Sequence, residues 1–360
     1  MDATRSHGWP TTPDYRPRFP DSGRLGIAIL GCGEIAQRAH LPAYGRYGLD
    51  VIGVWSRTAA TTATVRERFP FVRRVYASTD DLLADPEVHV VDIATRPEQR
   101  AEWLAAAVRA GKHVLAQKPL ATDPASVAPA LDEADRRGVR VAINHNGRWA
   151  PAWRLATQLV DDGAIGTVLS VTHLHDKPLP PIAGTHFDDQ PHMLISDYLL
   201  HWVDISRCWL AGKRVAAVQA RDHRTPEQPT QTRNPWAATV MLHCVDGADA
   251  VVRVVGDVQT RRPGCPFWVH GSRGTLRGSI LGGSDSLELE RDDTTTRYAL
   301  DGEWFVDGFA GAMGELMCAV VEDREPYHSA AHTMPSLQIM LAARDSADQG
   351  GAAVSVSLQL

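Results

Sequence analysis

Apolar residues fall in short unbroken runs along the first 145 positions, and in the gaps between the runs they recur every third or fourth place. The runs at 26–30, 51–55, 88–94, 113–116 and 139–143 predict buried strands, and periodic gaps such as 98–110 and 124–137 predict helices. Strands alternating with helices predict an α/β fold with a doubly wound parallel sheet. After Trp149 the pattern changes. Helices are expected over 151–162 and 194–210, an alternating strand over 168–175, and strand-like runs over 215–221, 237–245, 250–255 and 286–300. This predicts a second, α+β domain on an open, largely antiparallel sheet with helices on one face. Two final helices, 305–323 and 333–349, are expected to pack back on the first domain.

The first strand runs into a glycine turn and then directly into a helix, Gly31-Cys32-Gly33-Glu34-Ile35-Ala36. Gly31 suits a tight turn, Gly33 would let backbone approach a pyrophosphate, and Ala36 would keep the helix close to the sheet. A helix N-terminus there offers free N–H groups and the positive end of its dipole to an anion. Glycines at strand ends also serve plain turns, but the strand, turn, helix, strand order is the setting a dinucleotide site requires. The second strand ends on Ser56 and Arg57 where an acid would bind the adenosine ribose. A hydroxyl and a guanidinium accept a 2′-phosphate, which leans the reading towards NADP over NAD; the plain alternative is a surface loop. The expected organisation is a flexible arm over 1–23, a dinucleotide-binding Rossmann domain over 24–147, and a substrate and oligomerisation domain over 148–360.

Composition narrows the setting. The chain has 360 residues, 44% hydrophobic, enough for two ordinary cores. Thirty-seven Lys plus Arg against 43 Asp plus Glu give a net charge of −6 with no long basic run, which argues against nucleic acid as a partner. Cys32, Cys208, Cys244, Cys265 and Cys318 are widely spaced, which suggests neither a disulfide framework nor a zinc knuckle and fits a cytoplasmic protein. Residues 1–23 carry four prolines and no apolar signal core, and no uninterrupted apolar stretch spans a bilayer, so no membrane partner is expected.

Candidate chemistry begins at Lys118, just beyond the 113–116 strand, on the edge where open α/β sheets bind ligands; Pro119 fixes the turn that presents it. A lysine there can steady developing alkoxide charge, although one solvated lysine among many is the plainer reading. Asp197 and His201 lie four apart in a helical stretch and project from one face, with Asp204 three further on. An aspartate beside an imidazole makes His201 a candidate general base. A structural Asp–His bond competes with this, and a metal site drawing on His173, His175 or His192 ranks lowest, so no metal is assigned. Among ten tryptophans, Trp149, Trp153, Trp202 and Trp236 could stack on a sugar ring, but core packing is favoured for each.

The segments GCGEIAQRAHLPA (31–43), AGKHVLAQKPLA (110–121) and NHNGRWAP (144–151), with the 197–204 helix, resemble the Gfo/Idh/MocA oxidoreductase family from about Leu25 to the C-terminus. The resemblance implies a Rossmann domain followed by an α/β domain whose open sheet forms an oligomer interface, hence a homo-oligomer, dimer or tetramer. It implies hydride transfer between NAD(P) and a secondary hydroxyl or ketone of a sugar, cyclitol or sugar derivative. Lys118 matches the lysine of the family's Glu-Lys-Pro motif, Asp197 its substrate-binding aspartate and His201 its catalytic histidine. Asn146 and Arg148 match the asparagine and arginine after the last Rossmann strand. The implied cofactor contacts are Gly31, Cys32, Gly33, Glu34, Ile35, Ser56, Arg57, Thr95, Gln117 and Lys118. The implied substrate contacts are Lys118, Asn146, Arg148, Asp197 and His201, in a cleft between the domains. In this reading His201 takes the hydroxyl proton while Lys118 steadies the oxygen.

Three departures stand out. Gln117 replaces the motif's glutamate and removes a charge beside Lys118, Arg100 stands where a histidine is frequent, and His192-Met193 replaces a glycine pair. Two other functions fit the same motifs. One is an NAD-dependent glycoside-cleaving or eliminating enzyme using transient oxidation; the other is a non-catalytic dinucleotide-binding regulator.

Overall fold

A computed structural model describes residues 12–21, 25–179, 182–185, 187–210 and 212–356. The chain divides into two compact units. The first comprises Arg16–Trp149 and Trp304–Met334; the second comprises Met1–Tyr15, Ala150–Glu303 and Pro335–Leu360.

The first unit is built on six strands: β1 (Gly26–Leu30), β2 (Val51–Trp55), β3 (Arg74–Val75), β4 (Val88–Ile93), β5 (His113–Gln117) and β6 (Val141–Asn144). All pair in parallel, in the order β3-β2-β1-β4-β5-β6. Helices α1 (Leu41–Arg46), α2 (Ala59–Arg68), α3 (Thr79–Ala84), α4 (Pro97–Arg109) and α5 (Ala128–Arg137) connect them. The strands read as continuous apolar runs because both faces are covered. In β1, Ile27 and Ile29 enter one core with Phe309 and Met313, while Ala28 and Leu30 enter another with Leu104 and Val114. The strand expected from 139 begins at Val141 because Gly138, at φ +67°, caps α5. The Val139 N–H donates to the Ala134 carbonyl at 2.9 Å and that of Gly138 to Asp135 at 3.2 Å, a Schellman closure that takes Val139 into the helix end.

Part of the segment expected to be a flexible arm packs instead. The Arg18 carbonyl and Phe19 ring lie against Gly314, where a Cβ would stand 2.2 Å from the Arg18 oxygen. Phe19 meets Tyr47 at 5.3 Å between rings, and Arg18 pairs with Glu322 at 2.7 Å. A side chain missing from the helix makes the room for the strand of chain that crosses it.

The second unit contains α6 (Pro151–Asp161), β7 (Val168–His175), a π-helical turn (Leu194–Tyr198), α7 (Leu200–Trp209), β8 (Val215–His223), β9 (Ala237–Cys244), β10 (Asp249–Val255), β11 (Cys265–Gly271), β12 (Thr275–Ile280), β13 (Ser286–Arg291), β14 (Thr294–Tyr298) and β15 (Val354–Ser355). One sheet takes all nine strands, in the order β14-β13-β12-β11-β7-β10-β9-β8-β15. Only β7 and β10 pair in parallel. In β9, Val240, Leu242 and Cys244 are buried while Thr239, Met241 and His243 are half-buried, the period-two signature of a sheet with one covered face. The run expected as a single strand over 286–300 folds back on itself. Asp292 and Asp293, at φ +49° and +59°, make a two-residue turn that pairs Arg291 with Thr294.

Of the last two helices, both expected to pack back on the first domain, α8 (Phe309–Val321) lies in the first unit, whereas α9 (Ala330–Asp348) lies from Pro335 on in the second. The stretch Trp304–Val321 is long and apolar enough to cross a membrane by composition, but it is 78% buried inside the fold. Its two acids are engaged, Asp307 with the Tyr47 hydroxyl and Glu315 with Arg324 at 2.6 Å. It is a core helix of the first unit.

Candidate dinucleotide and catalytic site

The turn after β1 is set by steric constraint. Gly31 adopts φ +100°, and a Cβ there would stand 3.1 Å from the Ala94 carbonyl carbon and oxygen. Only glycine satisfies both conditions. Its N–H donates to the Trp55 carbonyl at 2.9 Å, which holds the turn across the ends of β1 and β2. Cys32 points inward, its thiol 3.6 Å from the Trp55 carbonyl, and burial pushes that thiol up to about 12, which leaves it unreactive. Gly33 is exposed, and a Cβ on it would meet nothing within 4 Å. Glu34, which pairs with Arg38 at 2.6 Å, and Ile35 open the helix, and Ala36 is fully buried.

The helix then departs from the expected regular winding. Residues Ala36–His40 form a π turn, with the Leu41 N–H bonded to the Ala36 carbonyl. Pro42 has no N–H to continue an i→i−4 ladder, so the bonding shifts by one residue there. These features fit a dinucleotide: open space over Gly33, a helix N-terminus aimed at it, and no side chain in the way.

Other expected cofactor contacts lie beyond the carboxyl ends of neighbouring strands. Ser56 is half-buried and Arg57 exposed after β2. Among the described residues Arg57 pairs with no carboxylate. Thr95 follows β4, Gln117 ends β5, and Lys118 comes next, joined to Pro119 by a cis peptide. Arg100 ties two of these loops together: its guanidinium donates to the Thr95 carbonyl at 2.7 Å and 3.0 Å and also to that of Pro119.

Asn146 and Arg148 are buried and engaged. The Asn146 amide oxygen accepts from Trp304 at 2.6 Å, and its nitrogen donates to the Asn144 carbonyl at 3.2 Å. Arg148 donates to the Tyr327 carbonyl at 2.5 Å and meets His332 Nδ1 at 3.0 Å. Asn144, next to Gln117 across β5 and β6, is fully buried, and neither of its side-chain polar atoms has a hydrogen-bond partner among the described residues. Its isolation is a tertiary feature that no local sequence pattern marks.

In the second unit Asp197 lies in the π turn, where the Leu199 N–H reaches the Leu194 carbonyl at 2.8 Å, and His201 lies in the first turn of α7. Both are half-buried among buried Leu194, Ile195, Leu199, Leu200 and Trp202, so they share the less covered side of the helix. Asp204 does not join them. It is buried, accepts from the Ser336 hydroxyl at 2.7 Å and sits 3.9 Å from Arg207, a structural anchor.

The histidines weighed as metal ligands have other surroundings. His173 stacks on Trp209 at 5.3 Å, and burial lowers its imidazole to about 3. His175 is lowered to about 4, chiefly by burial, and contacts the Tyr198 hydroxyl at 2.7 Å. Burial alone would lower His192, but its bonds to Asp222 and Asp348, at 2.9 Å and 3.0 Å, outweigh that and raise it. Among the described residues no three His, Cys, Asp or Glu gather as a metal site would require. Trp149, Trp153, Trp202 and Trp236 are all buried in the core.

Fold and turn together define an NAD(P)-dependent dehydrogenase or reductase. A family described as "Oxidoreductase family, NAD-binding Rossmann fold" matches residues 25–145, and the "GFO/IDH/MocA C-terminal domain" matches 153–277. The chain belongs to the Gfo/Idh/MocA oxidoreductase family. It is 27% identical over 249 residues to inositol 2-dehydrogenase of Gluconacetobacter diazotrophicus, a match covering 65% of this chain and 72% of that one. It is 28% identical over 227 residues to levoglucosan dehydrogenase of Pseudarthrobacter phenanthrenivorans, covering 55% of this chain and 58% of the relative. An oxidoreductase of Agrobacterium radiobacter, solved with NAD+, L-tartaric acid and magnesium, shares the fold with a TM-score of 0.78 at 19% identity, over 93% of this chain and 99% of that one.

The open space over Gly33 gives a sharp expectation. Gly33→Asp should fold and melt like the parent, because its side chain enters no occupied volume, yet lose dinucleotide binding through steric and charge conflict. Fluorescence titration with NADH and NADPH checks it, and parental affinity in the variant would show that the dinucleotide binds elsewhere.

Proposed function

We propose that this protein exchanges hydride between NAD(P), with NADP(H) favoured, and a secondary hydroxyl or ketone of a sugar, cyclitol or sugar derivative. The observation that carries the reading is the cradle at Gly31–Ile35 after β1 with Lys118 just past the end of β5, two strands along the same sheet. The names of the relatives, inositol 2-dehydrogenase and levoglucosan dehydrogenase, support the substrate class. The five cysteines are free, which fits a reducing cytoplasm, and we propose a homo-oligomer there, dimer or tetramer.

When bound, the nicotinamide supplies the carbon that accepts or returns hydride. The residues do the rest. In the oxidative direction His201 takes the hydroxyl proton as the C–H bond gives up its electron pair, and Lys118 stabilises the negative charge that develops on the oxygen. Asp197 orients the imidazole and binds substrate. Asn146 and Arg148 serve the substrate by holding the 146–149 turn, since their side chains are taken up by Trp304 and Tyr327. Arg57 receives the 2′-phosphate and Ser56 stands beside it.

Two measurements test this. A panel of myo-inositol, levoglucosan, hexoses and nucleotide-linked sugars, screened with NAD+ and NADP+ at 340 nm, should give stoichiometric reduced cofactor with at least one compound. Turnover without net reduced cofactor would identify transient oxidation instead. With that compound, His201→Asn and Lys118→Ala should each lower kcat by roughly two to four orders of magnitude while dinucleotide affinity holds. Near-normal turnover in either variant removes that residue from the mechanism.

The cofactor preference has its own test. Arg57→Ala should weaken NADPH binding about ten- to a hundredfold, the worth of roughly 1.5–3 kcal/mol for a charged hydrogen bond, and leave NADH little changed. Equal losses, or a parent that prefers NADH, contradict the NADP assignment.

A further inference from the structure

The core of the first unit contains a chain of polar groups that the chemistry above does not use. Asp92 interrupts the otherwise apolar end of β4 and is fully buried, as are His40 and Tyr44. Asp92 Oδ2 accepts from the Tyr44 hydroxyl at 2.6 Å and lies 2.6 Å from His40 Nδ1. His40 Nε2 lies 2.7 Å from Gln117 Nε2, and Gln117 Oε1 lies 3.1 Å from the Lys118 backbone nitrogen.

One unambiguous donor fixes every proton in the chain. A backbone N–H can only donate, so the Gln117 atom facing Lys118 is the oxygen. The Gln117 amide nitrogen therefore donates to His40, whose Nε2 offers its lone pair and whose proton sits on Nδ1. Asp92 Oδ2 then accepts twice, from His40 and from Tyr44. The imidazole is held at both nitrogens and packed edge-on against Phe309 at 4.8 Å, so it has one orientation.

Stability does not account for this arrangement. Asp92 Oδ1 is buried without a hydrogen bond among the described residues, and a carboxylate so placed costs folding free energy that an apolar side chain there would not. What the ring connects is more informative. His40 closes the π turn that continues from the Gly31–Ile35 cradle, and Gln117 is the residue before Lys118.

We propose that His40 is a positioning residue: braced by Asp92 and Tyr44, it locks the Gln117 amide and with it the backbone from which Lys118 projects, so the cradle helix and the lysine are set by one strut. The proposal rests on the role assigned to Lys118 above. It also gives the glutamine a meaning. A carboxylate at position 117 would present an acceptor to His40 Nε2 and draw a proton onto it, adding one negative and one positive charge, so the net charge beside Lys118 would be the same as with the amide.

The test pairs Gln117→Met, which keeps volume and removes the strut, with Gln117→Glu, which keeps a bond to His40. Nitrogen-15 NMR of labelled histidine, without substrate, should show His40 as the Nδ1–H tautomer in the parent and as imidazolium in Gln117→Glu. With the panel compound the parent oxidises fastest, Gln117→Met should lose about ten- to a hundredfold in kcat with the NAD(P)+ KM little changed and a lower melting temperature, since His40 Nε2 is left buried without its donor, and Gln117→Glu should recover most of the kcat loss. An Nε2–H tautomer in the parent overturns the proposal. So does a kcat loss in Gln117→Met matched by an equal loss in dinucleotide affinity, or not recovered by Gln117→Glu. Normal turnover in Gln117→Met beside a disabled Lys118→Ala overturns the strut alone; normal turnover in Lys118→Ala overturns both it and the reading beneath it.

Discussion

The first unit depends on the close approach of β1 to β4 at Gly31. With φ at +100° and the Ala94 carbonyl only 3.1 Å from where a Cβ would stand, glycine is the residue that lets the chain leave the sheet here, and that turn puts the helix N-terminus at the carboxyl edge. The order β3-β2-β1-β4-β5-β6 reverses direction between β1 and β4, at the same point. Arg57, Thr95 and Lys118 then gather at that edge because each follows a strand of a parallel sheet, whose ends all point the same way.

Both helices assigned to the site begin with a π turn, Ala36–His40 in one and Leu194–Tyr198 in the other. Such turns widen the helix by one residue and weaken its hydrogen bonding, a local cost that recurs at functional positions. In the first, the extra residue delivers His40 into the core beside Asp92. In the second, it carries Asp197 on the less covered side with His201. A third π turn, Trp304–Gly308 before α8, likewise holds a polar residue, Asp307, against the Tyr47 hydroxyl.

Local patterns made much of this legible in the sequence. The parallel sheet shows in apolar runs because strands covered on both faces need no polar positions, and the cradle shows in three small residues at fixed spacing. The hairpin at Asp292-Asp293 escaped because two aspartates at positive φ do not look like the usual glycine turn. Pro42 was a visible sign of the first π turn; the second has neither proline nor glycine to mark it. The packing of Arg18 and Phe19 depended on a small residue at position 314, far away in sequence. The His40, Asp92 and Gln117 chain spans 77 positions, and periodicity does not report a contact of that kind. Its one trace was an aspartate in a strand that should be apolar. Asn146 and Arg148 matched by motif, but only coordinates show their side chains bonded to Trp304 and Tyr327.

The central proposal is that Lys118 and His201 serve a single transition state. A double-mutant cycle on kcat/KM measures this directly, using Lys118→Ala, His201→Asn and the pair, with reduced cofactor followed at 340 nm. If both act on the same hydroxyl, the pair loses far less than the product of the two single losses, because either change alone already removes most of the benefit they share. Losses that multiply would mean that the two residues act independently and that no common oxygen lies under both.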